Sequence, residues 1–128
     1  MSKEILIDKH YLRQNPDHIF VFGDNLLRVG KGGAAILRDE PNTYGFVTKK
    51  APTHNSSDSY KPEEYSSKYE VEIKRLKKEI EKSPTKTFLI SKLGAGLANK
   101  YGIWEKIIRP NIRKDLSQYQ NVKFLWED

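Results

Sequence analysis

The chain contains no cysteine, which removes three chemistries at once: a disulfide frame, a thiolate nucleophile and a cysteine-based zinc site. Histidine is nearly as scarce. His10, His18 and His54 stand far apart with no H-x3-H spacing, so no metal site is expected. Long apolar runs are missing too: stretches such as Ile19–Phe22 reach four residues, against about 20 for a helix that spans a bilayer. The opening Met-Ser-Lys-Glu-Ile-Leu-Ile-Asp has no apolar h-region, so no secretory signal is expected. These absences point to a soluble, cytoplasmic protein without a membrane partner, a metal or a cofactor.

What is present is enough for one core. The 128 residues, 37% of them hydrophobic, suit a single domain over 1–128 that buries roughly two-thirds of its unfolded surface. The formal charge is +6, which invites a nucleic-acid reading until the charges are located. Residues 1–58 are close to balanced, and the excess lies in 59–128. There, Lys68 to Lys82 interleave both signs, as a solvated helix face does, with Glu70 and Lys74 forming a favourable i,i+4 pair. A basic stripe of Lys106, Arg109 and Arg113, joined by Lys92, is the stronger argument for nucleic acid, but no RNP, KH or helix-turn-helix signature accompanies it.

Periodicity sets out the elements. Glu4–Ile7, Ile19–Phe22, Gly45–Thr48, Thr87–Leu93 and Val122–Trp126 read as strands. His10–Gln14 suits one helical turn before Asn15-Pro16, and Ala34–Glu40 a short helix ending at Pro41. The clearest helix carries Tyr65, Tyr69, Ile73, Leu76 and Ile80 as its apolar stripe. Another runs from Ile103 to Tyr119, where Pro110 should kink it or start a second piece. Four apolar or nearly apolar residues opening Thr87–Leu93 predict a central strand covered on both faces. The alternation predicts an α/β fold, a mostly parallel mixed sheet of about five strands in a three-layer α/β/α arrangement.

Two strand ends carry glycine. One reads Phe22-Gly23-Asp24-Asn25 and then Gly30-Lys31-Gly32-Gly33-Ala34-Ala35; the other reads Ser91-Lys92-Leu93-Gly94-Ala95-Gly96-Leu97-Ala98. Glycine lets backbone approach a ligand closely, and successive amides in such turns form an anion-binding concavity. Two opposed loops of this kind suit a diphosphate. Neither is a P-loop, because Gly30-Lys31 is followed by Gly32 rather than a hydroxyl residue. The dinucleotide fingerprint fails as well, with Asn99 where its third glycine belongs.

The pattern of a strand, an asparagine, a glycine-rich loop, and later a strand ending in Gly-x-Gly-Leu resembles the macrodomains, an ADP-ribose-binding α/β fold. Thr48-Lys49 on a strand and Trp104-Glu105 after the second loop make it most similar to the branch that removes terminal ADP-ribose from protein carboxylates. The pairing of Gly-Asp-Asn with Gly-Lys-Gly-Gly-Ala-Ala is also similar to small uncharacterised phage and bacterial proteins. The resemblance implies that Gly30, Gly32 and Gly33 meet the diphosphate and distal ribose of an ADP-ribose-type nucleotide. It implies that Gly94, Ala95, Gly96 and Leu97 cradle the same diphosphate from the other side, and that Asn25 bonds a ribose hydroxyl. Asp8 or Asp24 would hold adenine.

Ala98 stands where the hydrolase branch has an aspartate, so that carboxylate is missing. Near the distal ribose this leaves Asp24, Asn25 and Lys31. Asn25 cannot act as a base, and Lys31 would need desolvation to lose its proton, so Asp24 is the one carboxylate for catalysis. Asp24 reads equally well as an Asx-turn cap. Lys49 or Lys50 could meet a phosphate, and Tyr44, Tyr101 or Trp104 could stack on a base, although Trp104 also reads as core. The expectation is a module that sequesters an ADP-ribose-type nucleotide or hydrolyses it weakly; the other class is a basic nucleic-acid-binding module.

Overall fold

The computed structural model describes residues 4–127. It has an α/β fold built on four parallel strands, β1 (His18–Asn25), β2 (Thr43–Lys49), β3 (Thr87–Ile90) and β4 (Val122–Phe124). The sheet order is β2-β1-β3-β4, with Phe20 opposite Leu89 and Phe22 opposite Gly45 in register. The helices are α1 (Lys9–Gln14), α2 (Pro62–Lys82) and α3 (Arg109–Asp115). Asp8 starts α1 by accepting the Tyr11 N–H at 2.8 Å.

Alternation within β1 divides the core. Phe20 and Phe22, with Leu89 and Leu125, pack against Leu12 of α1 and against Ala35 and Leu37. Val21, Phe88 and Ile90 pack with Tyr65, Tyr69, Ile73, Leu76 and Ile80 of α2 and with Ile108 and Ile112. Phe88, Leu89 and Ile90 are all buried, as a strand with neighbours on both edges and cover on both faces requires.

Four sequence expectations change. The strand expected over Glu4–Ile7 shrinks to one antiparallel bridge between Glu4 and Trp126, leaving Ile5 and Leu6 exposed, so the sheet has four strands among the described residues instead of about five. The Ala34–Glu40 helix is a 3-10 turn, Gly33–Leu37. The short space before Pro41 cannot repay the nucleation of an α-helix. The helix expected over Ile103–Tyr119 ends at Asp115, while Pro110 does start a second piece, at a change of winding. A π segment, Trp104–Ile108, passes directly into α3, where Pro110 has no N–H for the regular ladder.

The fourth concerns Glu72, which is buried rather than on a solvated face. Its carboxylate accepts the Val47 N–H at 2.7 Å and two bonds from Arg75 at 3.0 Å, with Lys68 at 3.5 Å. The Tyr65 hydroxyl donates to the Val47 carbonyl at 2.5 Å. Since β2 is an edge strand, α2 thereby satisfies both polar groups of Val47 that a further strand would otherwise pair.

Candidate functional site

After β1 the chain turns outward to β2 on one side, and it later returns through β3 on the other. In an order of β2-β1-β3-β4, the carboxyl ends of β1 and β3 flank the point where the sheet's winding reverses. Open α/β sheets leave a crevice there because the following connections diverge. In this chain both glycine loops leave from those two strands.

A cavity of about 400 Å³ occupies the crevice, and both loops line it. The first contributes Asp24, Asn25, Gly30, Gly32, Gly33, Ala34 and Ala35, the second Gly94, Ala95, Gly96, Leu97 and Ala98. The loops come close: a Cβ built on Gly32 would lie 3.4 Å from Leu97 Cδ1. A third wall comes from Thr48 and Lys49 at the end of β2 and from Pro52 and His54 beyond it; of these, Lys49 is one the sequence offers as a phosphate contact. That wall is tied across the cavity, because the Lys100 ammonium donates to the His54 carbonyl at 3.0 Å.

Local hydrogen bonding shapes each loop. Ser91 leaves β3 with its hydroxyl donating to Val21 O at 2.7 Å, and the Leu93 N–H turns back to Ser91 O at 2.8 Å. The helical segment beyond follows only after further turns, with Asn99 Oδ1 accepting the Trp104 N–H at 3.1 Å, so no helix start backs the second loop directly. The N–H groups of Gly32, Gly33, Ala34, Gly94, Gly96 and Leu97 enter no backbone hydrogen bond among the described residues. All six residues line the cavity. Such unused amides are donors for an anion.

The glycines differ in what demands them. Gly94 has φ of +78°, and an added Cβ would come 2.9 Å from Ile108 Cδ1, so fold geometry alone requires it. At Gly96 the backbone is ordinary and a Cβ would meet nothing within 4 Å. Neither packing nor φ calls for glycine there.

Three residues singled out from sequence have other duties. Asp24 is 4% exposed and carries two arginines. Arg38 meets it through both terminal nitrogens, at 3.0 and 2.5 Å, and Arg28 through one at 3.3 Å. Burial pushes the carboxyl up, but the bonds from Arg38, the Asn25 N–H and Arg28 outweigh it and hold it below the ordinary 3.8. A carboxylate held this way is a poor proton acceptor, so the geometry does not fit the catalytic role expected of Asp24. Asn25 is a loop organiser rather than a free ligand group: its Oδ1 accepts the Leu27 N–H at 3.0 Å and its Nδ2 donates to Val29 O at 2.8 Å. Lys31 is absent from the cavity wall and pairs with Asp39.

The remaining candidates divide in the same way. Lys49 lines the cavity and donates to Thr53 O, whereas Lys50 pairs with Glu64 at 3.0 Å. Asp8 caps α1, and Tyr44 and Tyr101 lie off the cavity beneath Arg75 and Lys61. Trp104 is core, edge-on to Trp126 with ring centroids 5.1 Å apart. Arg38, the residue that braces the first loop, had no signal in the sequence beyond its place three residues before Pro41. The described residues hold no cluster of three His, Cys, Asp or Glu side chains able to bind a metal ion. None of their helices is long and apolar enough to cross a membrane.

A model described as a family of unknown function (DUF7831) matches residues 3–100. The chain belongs to that family. The DUF7831 match spans β1, β2, α2, β3 and both glycine loops, so every wall of the cavity falls inside it. No curated protein and no solved structure matches the chain.

Proposed function

We propose that the cavity binds an ADP-ribose-type nucleotide, with its diphosphate between the two glycine loops, and that the protein sequesters this ligand rather than hydrolysing it. One observation carries the reading: loops from adjacent parallel strands line one cavity, and six residues of its wall have backbone amides that enter no hydrogen bond among the described residues. Its volume, about 400 Å³, lies within the ordinary range for small-molecule sites. Gly96, which the fold itself leaves free, is the position where ligand and backbone would approach most closely. The reading includes a three-layer, macrodomain-like α/β/α arrangement, supported by core clusters on both faces of the sheet and by adjacency of the asparagine strand and the Gly-x-Gly strand.

Binding without turnover is supported by what stands at Asp24 and at position 98. Hydrolysis of a glycosidic ADP-ribosyl bond needs a base or nucleophile within about 3 Å of the reacting atom. Asp24 is occupied by two guanidiniums, and position 98 is alanine. The test is calorimetry with ADP-ribose, NAD and AMP, followed by denaturation and recovery of the nucleotide. Stoichiometric binding with ADP-ribose recovered intact is expected. No binding by any of the three defeats the reading, and turnover of carboxylate-linked ADP-ribose that vanishes in Asp24→Ala makes the protein an enzyme.

The nucleic-acid reading has less support: Lys106 and Arg109 of its stripe are exposed, but the other two cations are placed elsewhere. Arg113 donates to Trp126 O at 2.7 Å and lies 4.9 Å from the Phe124 and Trp126 ring centres, and Lys92 lines the cavity.

A further inference from the structure

The cationic side chains near the cavity are engaged unequally. Arg28 and Arg38 are matched to Asp24, and the Lys49 ammonium is turned to Thr53 O. Lys92 is different. It is half-buried, lines the cavity, and makes no ion pair and no side-chain hydrogen bond among the described residues. Its ammonium lies 5.7 Å from the centre of the Trp104 ring. By contrast Lys31, Lys50 and Lys68 each have a carboxylate partner.

The backbone fixes where this charge stands. Lys92 is the middle residue of the turn closed by Leu93 N–H on Ser91 O, and its own carbonyl accepts the Ala95 N–H at 3.2 Å. It therefore sits at the base of the second glycine loop, two residues before Gly94. Leaving a partly desolvated ammonium without a counter-charge is unfavourable, and an anion entering the cavity removes that penalty. A stack on Trp104 orients the charge but does not neutralise it.

We propose that Lys92 is the ion-pairing residue for the ligand's phosphoryl oxygens, and that through it the site selects an anionic diphosphate over the same nucleoside without phosphate. The backbone amides give shape and direction to the diphosphate, and Lys92 supplies the charge. This inference rests on the nucleotide reading of the cavity.

Titration of the full chain with ADP-ribose and adenosine, at low and moderate salt, tests it. Replacing Lys92 by Gln is expected to weaken ADP-ribose about ten- to a hundredfold, the usual loss for a charged hydrogen bond. It should also flatten the salt dependence of binding. Lys92→Arg should retain most of the affinity, and Lys78→Gln, on the exposed face of α2, should behave as wild type. Melting temperatures of all three variants should stay within a few degrees of wild type. Wild-type affinity and salt dependence in Lys92→Gln overturn the assignment while leaving the nucleotide reading intact. An equal loss for ADP-ribose and adenosine overturns it as well, because it removes the charge selection. Failure of the wild-type chain to bind ADP-ribose overturns both.

Discussion

Arg38 closes both terminal nitrogens on the carboxylate of Asp24, at 3.0 and 2.5 Å, and the same guanidinium donates to Gly30 O at 2.9 Å and Val29 O at 3.2 Å. One side chain thus ties the end of β1 to the glycine loop that follows it. Asp24 and Arg38 are 14 residues apart, so the bond also shuts the loop entropically. Breaking a buried pair by removing one partner costs about 3–5 kcal/mol. Arg38→Ala should lose an amount in that range in urea denaturation, and nucleotide binding should fall with it as the loop loosens.

The same pair makes stability depend on acid. Asp24 titrates lower in the folded chain than its ordinary 3.8, so the unfolded chain takes up the proton first as pH falls. The stabilisation is complete above the unfolded value and is lost as pH drops through the folded one. Between pH 5 and about 2, denaturation midpoints of the wild type should fall more steeply than those of Asp24→Asn. Parallel curves would remove Asp24 from the acid response.

Glycines at the second loop should separate fold from binding. Gly96→Val places its side chain in open space and should abolish ADP-ribose binding with a melting temperature within a few degrees of wild type. Gly94→Val meets Ile108 at 2.9 Å from a backbone with φ of +78°, and should unfold the protein. Calorimetry paired with thermal melts distinguishes the two. A Gly96→Val chain that binds normally would dismiss the close approach of ligand to backbone.

The edge of the sheet gives a prediction about stability alone. Tyr65→Phe removes one hydrogen bond to Val47 O and should cost about 0.5–1.5 kcal/mol. Glu72→Ala leaves the Val47 N–H and Arg75 without their acceptor and should cost more, about 1–3 kcal/mol. With that edge reopened, light scattering at rising concentration should show self-association absent from the wild type.

In the core, Leu76 is fully buried on the inner face of α2. Leu76→Ala should cost about 2–5 kcal/mol in urea denaturation, depending on how far the cavity collapses. A loss under 1 kcal/mol would mean that α2 is loosely seated.

Local pattern was sufficient for α2, for the central burial of β3 and for both glycine loops, because each is written in neighbouring residues: a 3.6-residue stripe, an apolar run, a cluster of small residues at a strand end. It also set the two loops toward one pocket, and both line one cavity. What it could not supply was the partner of any polar side chain. In sequence Asp24 reads as a catalytic carboxylate or an Asx-turn cap and Asn25 as a ribose contact; only the fold brings Arg38 and Val29 against them. Glu72 looked solvated until the edge of β2 arrived beside it. Hydrogen bonds between groups 14 or 25 residues apart leave no periodic trace. Composition and spacing along this chain mark the four strands and α2, though not the single bridge at Glu4 or the 3-10 turn at Gly33–Leu37. The tertiary structure alone decides which charges are matched and which, like Lys92 at the cavity wall, are left for something else to meet.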